Sequence, residues 1–317
     1  MQKLIYALLF LALFSCTNQK QEFQISPELE VIEDAYHFYI IGDWGRQGED
    51  GQQEVADMMA KAAKVIEPEF IISTGDNFYP NGVASINDPL WKTSFEEVYH
   101  HFSLQLPWYV VLGNHDYRGN AQAEIDYMQV SRRWNMPARY YNFDKTADDS
   151  TQMAFVFIDT SPFEHEYYQE EKYKSKVITQ DTAQQKQWLD SVLNIKQEVD
   201  WVFVSGHHPM YTGGKRIDDP NSVRANLEKL FTKYEVNAYF AGHEHDLQHI
   251  KPQAPTHHFI SGAGSEIRPT GKIDETLYAE SEHGFMIASV TQNEVLVQVI
   301  NEKGELRYTY TLSKTNK

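Results

Sequence analysis

"FYIIGDWG" (38–45), "FIISTGDNFY" (70–79), "YVVLGNHD" (109–116), "VFVSGHHP" (202–209) and "AYFAGHEHD" (238–246) share one design. Each is a short run of β-branched, aromatic and other apolar residues that stops at a glycine. An Asp, Asn or His follows at once. Runs of this length bounded by turn residues read as buried strands. The segments between them carry helical period. Residues 52–66 put Val55, Met58, Met59, Ala62 and Ile66 on one helical face, and Pro68 stops that helix. Further helices are expected over 87–102, 120–132, 181–195 and 223–234, with Asp181 as a cap. A further strand is expected over 154–158. Strand and helix in alternation give an α/β core with parallel pairing.

The C-terminal part reads differently. "HHFISGAG" (257–264), "GFMIASVTQ" (284–292), "EVLVQVINEKG" (294–304) and "ELRYTYTLS" (305–313) are strand-like, with turn signals at Asn293 and Gly304. They are expected to form an antiparallel meander that completes a second sheet. In open α/β sheets, ligands bind outside the carboxyl ends of the strands. Five polar tips at those ends would therefore converge on one crevice.

The tips supply Asp43, Asp76, Tyr79, Asn114, His207, His243 and His245. These are hard oxygen donors and imidazoles, a set that suits Fe, Zn or Mn. Seven donors exceed one tetrahedral site and suit two ions sharing a carboxylate. Two ions about 3.5–4 Å apart can clamp the attacking and leaving oxygens of a phosphoryl displacement. Any one of these motifs alone is more often a turn or a solvated loop. The ordered set of five is the signal.

Composition narrows the function. The formal net charge is −17 over 317 residues. That balance disfavours nucleic acid, which needs clustered Lys and Arg, and it disfavours adhesion to an anionic membrane face. A small phosphorylated substrate remains open, because bound metals reverse the local sign. The chain starts "MQKLIYALLFLALFSC". Lys3 precedes an apolar run over 4–14 that is short for a bilayer span and suits a signal-peptide core. Cys16 is the sole cysteine, and with Leu-Phe-Ser before it this boundary resembles a bacterial lipoprotein cleavage box. No disulfide within the chain and no thiolate ligand beyond Cys16 is possible. The expected organisation is a signal peptide over 1–15, a polar lipid-anchored tether over 16–35 and one domain over 36–317. The expected location is a bacterial cell envelope, with membrane contact only through a lipid on Cys16.

The motif set, from "GDWG" through "GDNFY", "GNHD" and "SGHHP" to "GHEH", resembles the purple acid phosphatases of the small mammalian tartrate-resistant type. These lie within the calcineurin-like metallophosphoesterases. The resemblance implies a four-layer α/β/β/α sandwich of two mixed sheets flanked by helices. It implies hydrolysis of phosphate monoesters at an Fe(III)–M(II) centre by a metal-bound hydroxide, the second ion being Fe, Zn or Mn. Asp43, Tyr79 and His245 match ligands of the ferric ion, and Asp76 matches the bridging carboxylate. Asn114, His207 and His243 match ligands of the divalent ion. His115 matches a residue that faces substrate, where it can protonate the leaving alcohol or stabilise the transferring phosphoryl group. The sequence departs from the pattern at Arg216, which stands where mammalian members carry a second active-site His, and over 163–180, which shares little with the family's regulatory loop. The same scaffold also allows a phosphodiesterase or nucleotidase, and a surface lipoprotein that binds without turnover is a third reading.

Overall fold

The computed structural model describes residues 24–26 and 28–314. The expected signal peptide and Cys16 lie outside these residues. Among the described residues no helix is long and apolar enough to cross a membrane.

The strands are β1 (Tyr36–Ile41), β2 (Phe70–Ser73), β3 (Trp108–Val110), β4 (Trp134–Asn135), β5 (Tyr141–Thr146), β6 (Gln152–Phe157), β7 (Trp201–Ser205), β8 (Ala238–Ala241), β9 (Leu247–Ile250), β10 (His257–Ser261), β11 (Thr276–Glu280), β12 (Gly284–Val290), β13 (Glu294–Asn301) and β14 (Leu306–Ser313). They form two seven-stranded sheets. The first runs β14-β13-β12-β1-β2-β3-β4 and the second β11-β9-β10-β8-β7-β6-β5. Both are mixed. β1, β2, β3 and β4 are parallel neighbours, as are β6, β7, β8 and β10, and the remaining pairs are antiparallel.

β1 shows why four layers form. Alternate strand residues face opposite sides of a sheet. Phe38 meets Phe155, Phe203 and Phe240 of the second sheet at ring-centroid distances of 5.2, 5.6 and 6.0 Å. Tyr39 points the other way and reaches Met59 on the outer helix α1 (Gln52–Ile66). On the far side of the second sheet, Val156, Val202 and Val204 pack with Leu189, Leu193, Leu227 and Phe231. Those residues belong to two helices over Thr182–Ile195 and Ser222–Lys233. The Asp181 side chain caps the first by accepting from Gln184 N.

Three expectations are corrected. The meander of β12, β13 and β14 does not build the second sheet. It extends the first, because β12 pairs antiparallel with β1 from Tyr36↔Val290 to Ile40↔Met286. Only β10 of the tail runs named above joins the second sheet, beside β8. The helix expected over 87–102 is π-wound over Trp91–Glu96. After a short helix α2 (Asn114–Arg118), the helix expected over 120–132 is shorter than expected: α3 (Ala121–Asp126), followed by a 3-10 turn at Tyr127–Gln129. It leaves α geometry where Tyr127 turns inward to stack on Trp91, 3.5 Å between centroids. Before β1, the Glu30 backbone exchanges hydrogen bonds with the Gln298 amide on β13.

Candidate metal centre

All five tips lie at the carboxyl ends of their strands, on one edge of the two sheets. The backbone there is unusual. Asp43, Asp76 and His243 have φ of 58°, 51° and 70°, the left-handed region that costs a non-glycine residue free energy and clusters at functional sites. Gly75 sits at φ 95°, and a Cβ there would lie 2.8 Å from His207 Nδ1. A side chain at 75 would therefore push His207 away.

Two buried groups emerge. In the first, the Tyr79 hydroxyl is 3.0 Å from Asp43 Oδ1, 3.1 Å from Asp76 Oδ2 and 3.2 Å from His245 Nε2. In the second, His207 Nε2 is 3.1 Å from His243 Nδ1, 3.3 Å from Asn114 Oδ1 and 3.5 Å from Asp76 Oδ1. Asp76 thus faces the first group with one oxygen and the second with the other. Asp43 Oδ2 also accepts from His243 N at 2.9 Å, which ties the two groups together.

This arrangement has too few protons for its lone pairs. One phenol hydrogen faces two carboxylate oxygens and an imidazole nitrogen. His207 Nδ1 donates to Thr74 O at 2.9 Å, so a neutral His207 presents a lone pair at Nε2 to His243 and Asn114. Burial lowers the proton affinity of His207, but the Asp76 and Asp43 carboxylates outweigh burial and carry it up to about 9. Burial pushes Asp43 well above the usual carboxylate range. Burial, then Asp43 and Asp76, pushes the Tyr79 phenol up. Burial works against the Asp76 carboxylate, but His207 and His115 hold it well below the usual range, while burial lowers His243 and lowers His245 to about 3. Carboxylate and imidazole lone pairs left without protons are ones that cations can occupy. The donors are oxygen and imidazole nitrogen, which fits two hard or borderline ions.

Among the described residues, two clusters of His, Asp and Glu are close enough to hold an ion: Asp43, Asp76 and His245, and His207, His208 and His243. His208 is new relative to the sequence reading. Both its nitrogens are already engaged, Nδ1 by Thr160 Oγ1 at 2.8 Å and Nε2 by Tyr167 Oη at 2.9 Å. Its ring lies against His243, 4.3 Å between centroids. We therefore read His208 as a wall of the site and Asn114 as the oxygen donor of that group.

His115 lies at the rim, with 17% of its side chain exposed. Its Nδ1 donates to Pro80 O at 2.7 Å, and its Nε2 is 4.0 Å from Asp76 Oδ2. Arg216 does not stand free in the crevice. It donates to Glu244 Oε1 at 3.2 Å and to His243 O at 3.1 Å, so its charge is matched by a carboxylate that is 1% exposed. Glu244 Oε2 also accepts from Lys215 N, which binds the 213–216 loop to the "GHEH" tip.

The buttress behind the site was not legible in the sequence. Asp116 accepts from the backbone N–H of Gly113, Asn77 and Phe78, and Asn77 Nδ2 reaches Val111 O and Glu124 Oε2. Burial raises the Asp116 carboxyl to about 7. The "NHD" Asp was the available signal, but its role appears only when the Gly75–Phe78 turn is seen folded over it.

Comparison with known proteins agrees with this geometry. The family model described as "Calcineurin-like phosphoesterase" matches residues 36–247. Purple acid phosphatase 7 of Arabidopsis thaliana is 32% identical over 97% of this chain and 95% of its own length. Tartrate-resistant acid phosphatase type 5 of Homo sapiens is 29% identical over 86% of this chain and 89% of its own. A solved structure described as GAP50, the anchor in the inner membrane complex of Plasmodium, is 27% identical with a TM-score of 0.78, covering 90% of each chain. The chain belongs to the calcineurin-like phosphoesterases and, within them, to the purple acid phosphatases.

Proposed function

We propose that the seven tip residues divide between two ions and that His115 serves as proton donor, so that the chain hydrolyses phosphate monoesters as an acid phosphatase. Fe(III) and a second divalent ion are the cofactors. When bound, the pair supplies Lewis acidity that neutralises the phosphoryl oxygens and generates the attacking nucleophile from water. Asp43, Tyr79 and His245 would hold the ferric ion, Asn114, His207 and His243 would hold the divalent ion, and Asp76 would serve both. The observation that carries this reading is the split of the Asp76 oxygens, Oδ2 toward Tyr79 and Oδ1 toward His207.

His115 keeps one nitrogen committed to Pro80 O and leaves Nε2 for the crevice. In the imidazolium form, the Nε2 proton passes to the departing alcohol oxygen. General acid help of this kind is typically worth about 10²–10⁴-fold, most for poor leaving groups. His115→Ala should therefore slow hydrolysis of alkyl phosphates far more than that of nitrophenyl phosphate. Steady-state kinetics on the two substrates checks this, and equal damage to both would remove the proton-donor role.

The likeness to an anchor protein favours a second reading, a binding scaffold without turnover. The full donor set in this chain argues against it, and turnover of any phosphate ester by the pure protein would exclude it. A phosphodiesterase or nucleotidase preference would appear on the same substrate panel.

The finer location rests on residues 1–35. We read 1–15 as a signal peptide, 16–35 as a tether carrying a lipid on Cys16, and 36–317 as the catalytic domain of an exported envelope protein. The support is the apolar run followed by the sole cysteine. Cys16→Ser should release the protein from the membrane fraction. Unchanged fractionation, with no acyl group on wild-type Cys16, would leave an ordinary cleaved signal.

A further inference from the structure

Residues 163–180 hold the helix α4 (Glu171–Val177). It packs against the end of α2, where Lys176 Nζ donates to the carbonyls of Arg118 and Gly119. The same helix carries Tyr173, which is 1% exposed, at the back of Asn114. Asn114 Nδ2 donates to Tyr173 Oη at 2.9 Å. The same oxygen accepts from Arg118 Nε at 3.0 Å and Arg118 Nη2 at 2.8 Å. Among the described residues, the Asn114 NH₂ meets no other acceptor.

The two ends of an Asn side chain are nearly the same size, but only the oxygen can face a cation. For Oδ1 to face His207 and an ion, the NH₂ must face away, and Asn114 is 5% exposed, so water is a poor partner there. The Tyr173 oxygen is the acceptor that makes this orientation cheap. Arg118 in turn holds the phenol in place with two donors. We propose that Tyr173 is a positioning residue for the divalent ion, acting through the Asn114 amide. This rests on the reading of Asn114 as a ligand. Partners that orient a ligand from behind typically account for about 10–100-fold in metal affinity. The two Lys176 bonds touch neither Tyr173 nor Asn114, and without them Arg118 still holds the phenol, so their loss leaves the amide contact in place.

Zinc alone is the probe. Wild type, Tyr173→Phe, Asn114→Ala and Lys176→Met are prepared with iron bound and the divalent ion removed. Zinc is then titrated in competition with a chelator, and the melting temperature of each variant is recorded. Tyr173→Phe should bind zinc about 10–100-fold more weakly while staying folded. Lys176→Met should bind within about twofold of wild type, as for a substitution remote from the contact. Tyr173→Phe with wild-type affinity, beside an Asn114→Ala protein that has lost zinc, would overturn the positioning role. Equal weakening by Lys176→Met would overturn it too, since helix seating rather than the phenol oxygen would then be responsible. Wild-type affinity in Asn114→Ala would instead overturn the ligand assignment beneath it.

Discussion

Asp76→Ala should abolish turnover and empty both metal sites. The reason is geometric. Asp76 is 1% exposed, and its two oxygens face side-chain donors of different groups, Tyr79 on one side and His207 on the other. Its Oδ1 also accepts from His115 N at 2.7 Å, and that bond holds the start of α2, with Asn114 and His115, over the site. Removing it therefore takes a ligand from each ion and loosens a third donor. Metal ions contribute several kcal/mol of transition-state stabilisation, and each 1.36 kcal/mol is tenfold in rate, so a loss beyond about 10³-fold in kcat/KM is expected. Asp76→Asn is the sharper variant. It keeps the shape of the side chain but offers the ions one neutral oxygen in place of two charged ones. Metal content by mass spectrometry and steady-state rates check both. A variant with its full metal complement and ordinary activity would show that Asp76 is not shared.

Tyr79→Phe should remove colour while leaving the fold intact. The Tyr79 hydroxyl is within 3.2 Å of three other donors, and the ring is 3% exposed. A phenolate in that position would give charge transfer to a ferric ion, and hence a broad visible absorption in the oxidised protein. Phe retains the ring contacts, with the Arg46 guanidinium 4.0 Å and the His115 ring 4.3 Å from the ring centroid. Iron should therefore stay bound, held by Asp43, Asp76 and His245, while the band vanishes. An oxidised, iron-loaded wild type without colour would remove Tyr79 from the ligand set.

What the sequence could show divides along physical lines. The strands β1, β2, β7 and β8 and the helix α1 fall where short apolar runs and helical period put them, because buried segments carry their own pattern. Each strand tip is a local motif, so the convergence of five tips was also legible. Sheet partnership was not. β12 reads as the same unbroken, mostly apolar run whichever sheet it joins, and its pairing with β1 spans most of the chain. β9, "LQHI", mixes Gln and His into a fully buried strand, and β5 is half exposed, so neither carries a clean apolar signal. The parts of the site that escaped notice act through others. Tyr173 meets Asn114 only because α4 docks on α2, and the Asp116 bonds form only around a folded turn. Arg216, which stands where the family pattern has a His, pairs with Glu244 inside the "GHEH" motif, a contact between loops that sequence order does not show.

Anomalous X-ray scattering from crystals of the protein purified with its own metals tests the central claim most directly. Two peaks about 3.5–4 Å apart are expected. One should lie among Asp43, Tyr79 and His245, with the signature of iron, and the other among Asn114, His207 and His243, with Asp76 between them. A single peak in a fully active preparation, or a second ion seated on His208 away from Asn114, would contradict the account.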